Sequence, residues 1–153
     1  IENENSEVTI LDPETGQQVS ALPNPQRYKF CCGHAFLPDG RLVLASGNVG
    51  QTSAASLHTF TPEGDGGTWT DFGSMSGGIR WYPTCTTLSD GRVMILAGTK
   101  EVFTTIQQTT CSQDFISGTN TPRQVNKTYE IFDGNTKGSS IPVPELFDDC
   151  EDS

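Results

Sequence analysis

The sequence predicts an all-β chain of repeated four-stranded units, a β-propeller fragment of about two and a half blades. Two observations carry that expectation. Gly and Pro interrupt the chain too often for a long i, i+3, i+4, i+7 stripe to survive, and a strand-turn-strand pattern returns after 51 residues. The first strand unit, Val8-Thr9-Ile10-Leu11, runs into the turn Asp12-Pro13-Glu14-Thr15-Gly16. A hairpin follows: Ala35-Phe36-Leu37, the turn Pro38-Asp39-Gly40-Arg41, then Leu42-Val43-Leu44-Ala45. Asp-Gly between two apolar runs is a strong short-range hairpin signal, because both residues tolerate positive φ. The next strand, Leu57 to Thr61, ends in Pro62-Glu63-Gly64.

The hairpin then recurs as Thr86-Thr87-Leu88, Ser89-Asp90-Gly91-Arg92 and Val93-Met94-Ile95-Leu96, so that Arg41 and Arg92 lie 51 residues apart. Each copy closes on small residues, Ser46-Gly47 and Ala97-Gly98. The single-strand unit recurs once more as Thr128 to Phe132 before Asp133-Gly134. Two hairpin-like units per period of about 50 residues give four strands per repeat, the arithmetic of a propeller blade of the kelch length class. The expected organisation is therefore the outer strands of an incomplete blade at 1–24, a complete blade at 25–76, a second blade at 77–142 and an acidic tail at 143–153. The interval from Thr61 to Asp133 is 72 residues where that from Asp12 to Thr61 is 49, which places a polar insertion containing Cys111, Asn120 and Pro122 at about 100–127. The tail, with Glu145, Asp148, Asp149, Glu151 and Asp152, reads as a solvated loop or end. A propeller hides its strand edges by ring closure, so a piece of this size is expected to belong to a larger ring.

Composition narrows the function classes. The 153 residues hold nine Lys or Arg against 19 Asp or Glu, a formal net charge of −10, and no basic cluster. Nucleic-acid binding has no electrostatic footing, and an anionic membrane surface would repel the chain. The longest apolar runs, Leu42–Ala45 and Val93–Ala97, fall far short of the roughly 20 residues that span a bilayer. The chain opens on Ile1, with no basic and apolar leader. Five cysteines and the sequon Asn126-Lys127-Thr128 fit an oxidising compartment, and the expectation is a secreted protein whose signal peptide is not in this chain.

Superposing the repeats by their Asp-Gly-Arg turns sets Cys31 opposite Tyr82, because those positions are also 51 apart. Both then stand at the start of the innermost strand of consecutive blades, where such strands converge. A thiol and a phenol would meet there, or each would merely pack as a small hydrophobe and an aromatic.

The local words bear on that choice. Phe30-Cys31-Cys32-Gly33, followed by Leu37-Pro38-Asp39-Gly40-Arg41 and Gly47-Asn48, resembles the first signature of the galactose oxidase and glyoxal oxidase family, the copper radical oxidases. Arg80-Trp81-Tyr82-Pro83-Thr84, followed by Leu88-Ser89-Asp90-Gly91-Arg92, resembles the second, and is closest to the glyoxal oxidase branch. The resemblance is strongest over roughly residues 27–99. It implies a thioether bond between Cys31 and Tyr82 and a Tyr82 phenolate that binds copper. It also implies a thioether-substituted tyrosyl radical that stores one oxidising equivalent while copper stores the other. Small aldehydes or alcohols would be the substrates, and O2 would be reduced to hydrogen peroxide. Cys32 is the rival thiol, but the Phe-Cys-x-Gly pattern and the repeat offset both select Cys31. Trp81 would either shield the radical by stacking or fill a gap between blades.

Such a site also needs an axial tyrosine and two histidines from elsewhere in a longer chain. Only His34 and His58 are present, and neither stands in a ligand motif: His34 aligns with Cys85 and His58 falls on an outer strand. One phenolate without convergent imidazoles is not a competent copper site, so the isolated chain is expected to be inactive, with the rest of the propeller and a C-terminal part as its partners. The cysteines lack structural-zinc spacing, and Gly64-Asp65-Gly66-Gly67 reads as a hairpin loop before Trp69. If Tyr82 consumes Cys31, the remaining Cys32, Cys85, Cys111 and Cys150 form an even set with three possible pairings. The competing reading is a non-catalytic kelch-type propeller that binds carbohydrate or protein.

Overall fold

The computed structural model of the chain describes residues 8–22, 29–47, 55–64, 66–100 and 125–143. The insertion around Cys111, Asn120 and Pro122, most of the acidic tail with Cys150, and Asp65 lie outside the described residues. Among the described residues the regular structure is all β, in ten strands. These are β1 (Val8–Leu11), β2 (Gln18–Leu22), β3 (Gly33–Phe36), β4 (Leu42–Ala45), β5 (Ser56–Glu63), β6 (Gly66–Ser74), β7 (Thr84–Thr87), β8 (Val93–Leu96), β9 (Thr128–Phe132) and β10 (Ile141–Pro142). β1 and β2 form a hairpin, and the others form two antiparallel four-stranded sheets in the orders β3-β4-β5-β6 and β7-β8-β9-β10.

The inner hairpins of the two sheets repeat each other residue by residue. Gly33 pairs with Ala45 and Phe36 with Leu42 in the first; Thr84 pairs with Leu96 and Thr87 with Val93 in the second. The Asp-Gly turns differ from expectation in one respect, since only Gly40 and Gly91 are left-handed, each at φ 86°, while Asp39 and Asp90 are not. Gly40 N donates to Leu37 O and Leu37 N to Arg41 O, which makes a three-residue loop closed by a left-handed glycine rather than a two-residue turn. The aspartate works through its side chain: Arg41 N donates to Asp39 Oδ1 at 3.1 Å, and the Arg41 guanidinium lies 2.8 Å from Oδ2. Asp90 and Arg92 repeat both contacts.

Aspartates in two more hairpins do similar work. Asp12 Oδ1 accepts from Glu14 N, and Asp133 Oδ1 accepts from Asn135 N and Thr136 N. These hydrogen bonds favour the charged carboxylate and hold all four groups below their usual pKa, Asp133 at about 2. A carboxylate depressed in the folded state stabilises above its unfolded pKa and loses that contribution as protons bind. The thermal midpoint is therefore expected to fall as pH drops from about 4 toward 2, followed by circular dichroism; an unchanged midpoint across that range would refute the role of these turns.

Strand alternation puts Ala35, Val43, Ala45 and Leu57 on one face of the first sheet, and Cys85, Val93, Ile95 and Phe132 on the facing surface of the second. Leu37 and Met75 join them, and Phe72 meets Phe132 edge-on at 4.8 Å. Val43, Leu57, Val93, Ile95 and Phe132 are essentially inaccessible to water, and each such burial contributes about 1.5–3 kcal/mol. In repeat terms the buried positions are opposite: Val43 and Ala45 of β4 match Met94 and Leu96 of β8, which are only half-buried. The sheets thus stack head to tail, one face of the first against the opposite face of the second. The edge strands β3 and β7 lie against each other. Thr87 Oγ1 donates to Phe36 O at 2.6 Å across that seam, and Arg41 Nη1 to Gly134 O at 2.7 Å ties the turns together.

Candidate functional site

Cys31 and Tyr82 precede β3 and β7, the two strands that meet at the seam. Their backbones are left-handed, at φ 63° and 54°, and the only other non-glycine residues so placed among those described are Ser46 and Ala97. These four are two pairs, each separated by 51 residues, so the repeat extends to its least favourable dihedrals. A bulky residue in the left-handed region is a true outlier, and such strain concentrates at functional positions. Tyr82 is disfavoured twice, since the following Pro83 also restricts it.

The structure brings the pair together. Tyr82 N donates to Cys31 O at 3.1 Å, and a side-chain hydrogen bond between the phenol and the Cys31 thiol pushes the phenol pKa up. Tyr82 is 59% exposed, so its ring lies at the surface. Trp81 packs on Tyr82 with ring centroids 4.6 Å apart, but at 57° the rings are tilted rather than stacked. Cys31, Cys32 and Cys85 are all free thiols. Burial raises the pKa of Cys32 and, more strongly, that of Cys85, to about 12. Lys29 and Cys85 act electrostatically on or with Cys32, whereas the thiol that perturbs the Tyr82 phenol is Cys31.

Gly33 makes this approach possible. A Cβ there would lie 2.6 Å from Pro83 O and 2.7 Å from Cys85 Sγ, so a side chain would drive β3 from β7. Gly33→Ala is expected to cost about 1–3 kcal/mol in urea unfolding by overpacking the seam. A loss below about 0.5 kcal/mol would refute the close contact.

Residues that sequence reasoning missed surround the pair. Lys29 is buried, and its Nζ donates to Ser46 O at 3.0 Å and Ser56 Oγ at 2.8 Å. Arg80, 51 residues on, is fully buried and donates to Ala97 O at 2.9 Å. Each repeat therefore buries a cation two residues before the paired position and aims it at the carbonyl of the second left-handed residue. The shared offset of two cations was the signal. Glu130, 2% exposed, sits 3.2 Å from the Arg80 guanidinium.

The other candidates lie elsewhere. His34 is exposed on the face of β3 turned from the second sheet. His58 is buried on β5, with Nε2 3.6 Å from Asp71 Oδ1. Asn126 does not behave as a surface sequon: it is fully buried, and Nδ2 donates to Gly77 O and Ile79 O. Among the described residues no three His, Cys, Asp or Glu side chains converge on a metal-binding point. Tyr82 offers one oxygen that a copper ion could take as a single ligand, and the described residues do not make up a full coordination set.

One comparison bears on this geometry. A solved structure described as a novel fungal alcohol oxidase of the AA5 family, in complex with copper, superposes with a TM-score of 0.55 over 88% of this chain, at 22% identity. The chain shares that protein's fold. It spans 24% of that protein's length. No protein-family model matches the chain, and no curated protein sequence matches it.

Proposed function

We propose that the chain is the part of a secreted copper radical oxidase that supplies its Cys31–Tyr82 cross-linked cofactor. The observation that carries this reading is the meeting of a left-handed Cys31 and a left-handed Tyr82 across the seam of two repeated sheets. The two sheets are read as consecutive propeller blades, 25–76 and 77–142, of a larger ring, which head-to-tail stacking favours because it leaves each sheet an outer face for a further blade. The fold shared with a copper-bound alcohol oxidase supports the same assignment.

Cross-linking joins Cys31 Sγ to a ring carbon of Tyr82, and the thiol hydrogen and one ring hydrogen leave as two protons and two electrons, which O2 accepts to give hydrogen peroxide. Copper supplies one-electron redox capacity when bound, with Tyr82 as one ligand and the others drawn from the rest of the parent chain. In the linked pair the sulfur spreads unpaired spin from the ring, so Tyr82 can hold the second oxidising equivalent that two-electron oxidation of an aldehyde or alcohol needs. The Arg80-Trp81-Tyr82-Pro83-Thr84 word favours glyoxal-type aldehydes over sugars. Trp81 touches the Tyr82 ring at a tilt and leaves it largely exposed, so any shielding of the ring would have to come from the rest of the parent chain.

Intact mass and peptide mapping of the full-length protein after exposure to copper and air test this function. The expected product is two hydrogens lighter, with Cys31 and Tyr82 peptides that thiol reduction does not separate. Freely alkylatable Cys31 after that treatment would leave the non-catalytic propeller as the better reading.

A further inference from the structure

Resting on that functional reading, we infer that Arg80, Glu130 and Asn126 are positioning residues for the Cys31–Tyr82 junction, clamping the segment that delivers Tyr82. The segment Ser76–Trp81 runs between the sheets, from the end of β6 toward β7. Glu130, on β9, reaches back to its start: Oε2 accepts from Ser76 N at 2.8 Å and Ser76 Oγ at 3.0 Å, and Oε1 accepts from Gly77 N at 2.9 Å. Asn126 Nδ2 donates to Gly77 O at 2.9 Å and Ile79 O at 3.0 Å. Arg80 donates from Nη1 to Ala97 O and Thr128 O, and from Nη2 to Thr128 Oγ1 and Glu130 Oε1. Thr128 Oγ1 in turn donates to Asn126 Oδ1 at 2.6 Å, which ties the three side chains into one network. Trp81 then pairs with Thr99 through two backbone hydrogen bonds, of 2.8 and 2.9 Å.

The comparison with the first repeat shows why Tyr82 needs this clamp. At Cys31 the left-handed turn closes itself, because Cys32 N donates to Lys29 O at 3.2 Å. The equivalent donor beside Tyr82 would be the N–H of residue 83, which is Pro83 and has none. The second repeat therefore holds a less favourable residue without the local hydrogen bond. Its larger cation supplies the hold instead, since a guanidinium serves several acceptors in a fixed fork where the Lys29 ammonium serves Ser46 and Ser56.

Gly77 offers a wedge into the clamp that removes no charge. A Cβ there would lie 2.6 Å from Arg80 Nη2 and 2.8 Å from both Glu130 Oε1 and Ser140 Oγ. The test compares full-length wild type, Gly77→Ala, Arg80→Gln and Arg80→Lys in two readouts, with near-ultraviolet circular dichroism and a cooperative melt as the criterion of folding. The first readout is the nuclear Overhauser contact between Cys31 Hβ and the Tyr82 ring in metal-free protein. The second is the rate of cross-linking under copper and air. Gly77→Ala and Arg80→Gln are expected to weaken the contact and slow cross-linking by about tenfold while remaining folded. Arg80→Lys, which keeps the charge and a donor for Ala97 O but loses the fork to Thr128 and Glu130, is expected to recover only part of the wild-type rate. Should Arg80→Gln fail to fold, Gly77→Ala and Arg80→Lys carry the comparison. Wild-type contact and rate in folded Gly77→Ala would overturn the positioning role while leaving the functional reading intact. A wild-type contact that the variants lose, together with no cross-link in any protein, would overturn the functional reading and uphold the positioning role. Absence of the contact in wild type would overturn the positioning role.

Discussion

Tyr82→Phe in the full-length protein is expected to abolish copper-dependent oxidation of small aldehydes or alcohols, measured as hydrogen peroxide release. Cys31→Ala is expected to lower it on the order of a thousandfold or more, because residues that act as one unit fail together. The phenol is largely exposed, and a surface change of this kind alters stability by only about 0.5 kcal/mol, so lost turnover with an unshifted melt separates chemistry from folding. The double replacement is expected to cost no more than Tyr82→Phe alone. The proposed function gives the cross-link and the redox role to the pair, so additive losses would mean that Cys31 acts separately. Retained turnover in Tyr82→Phe would sink the oxidase reading outright.

Glu130→Ala is expected to destabilise the protein by about 3–5 kcal/mol in urea unfolding, the cost of stranding a buried charge. Arg80 and Glu130 are 0% and 2% exposed. Burial already lowers the Arg80 pKa, and the hydrogen bond and charge of Glu130 oppose that effect. Without the carboxylate the guanidinium keeps carbonyl acceptors at Ala97 and Thr128 but loses its counter-charge, and Ser76 N and Gly77 N lose their acceptor. Glu130→Gln is expected to cost less, because an amide oxygen still accepts one of these hydrogen bonds. Replacing both partners by Met and Leu recovers only part of the loss, since the Ala97 and Thr128 carbonyls would then lack the donors that Arg80 provides, at about 1–3 kcal/mol for a group left unsatisfied. A loss below about 1 kcal/mol for Glu130→Ala would mean that the pair is hydrated in solution.

The strands at Leu42, Val93 and Thr128, the 51-residue period and the equivalence of Cys31 with Tyr82 were legible in the chain itself. Each depends on signals carried within a few residues, alternation and turn chemistry, and repetition copies those signals down the sequence. Even there the Asp-Gly turns were read for the wrong reason: Asp39 and Asp90 act as side-chain acceptors, and only the glycines turn left-handed. The sequon at Asn126 is silent about burial, because its three residues say nothing about what covers them. Folding buries its amide against the backbone of Gly77 and Ile79, 49 and 47 residues away.

Local sequence alone therefore determined an all-β repeat and the equivalence of positions 31 and 82. Only the tertiary structure decided which face of each sheet is covered, and that Arg80, Glu130 and Asn126 hydrogen-bond the segment before Tyr82. The physical reason is range. Turns and alternation are settled between neighbours, whereas burying a charge or an amide is tolerable only when its partner arrives from another strand, and residue 130 reaches residue 80 only after β7, β8 and β9 have paired.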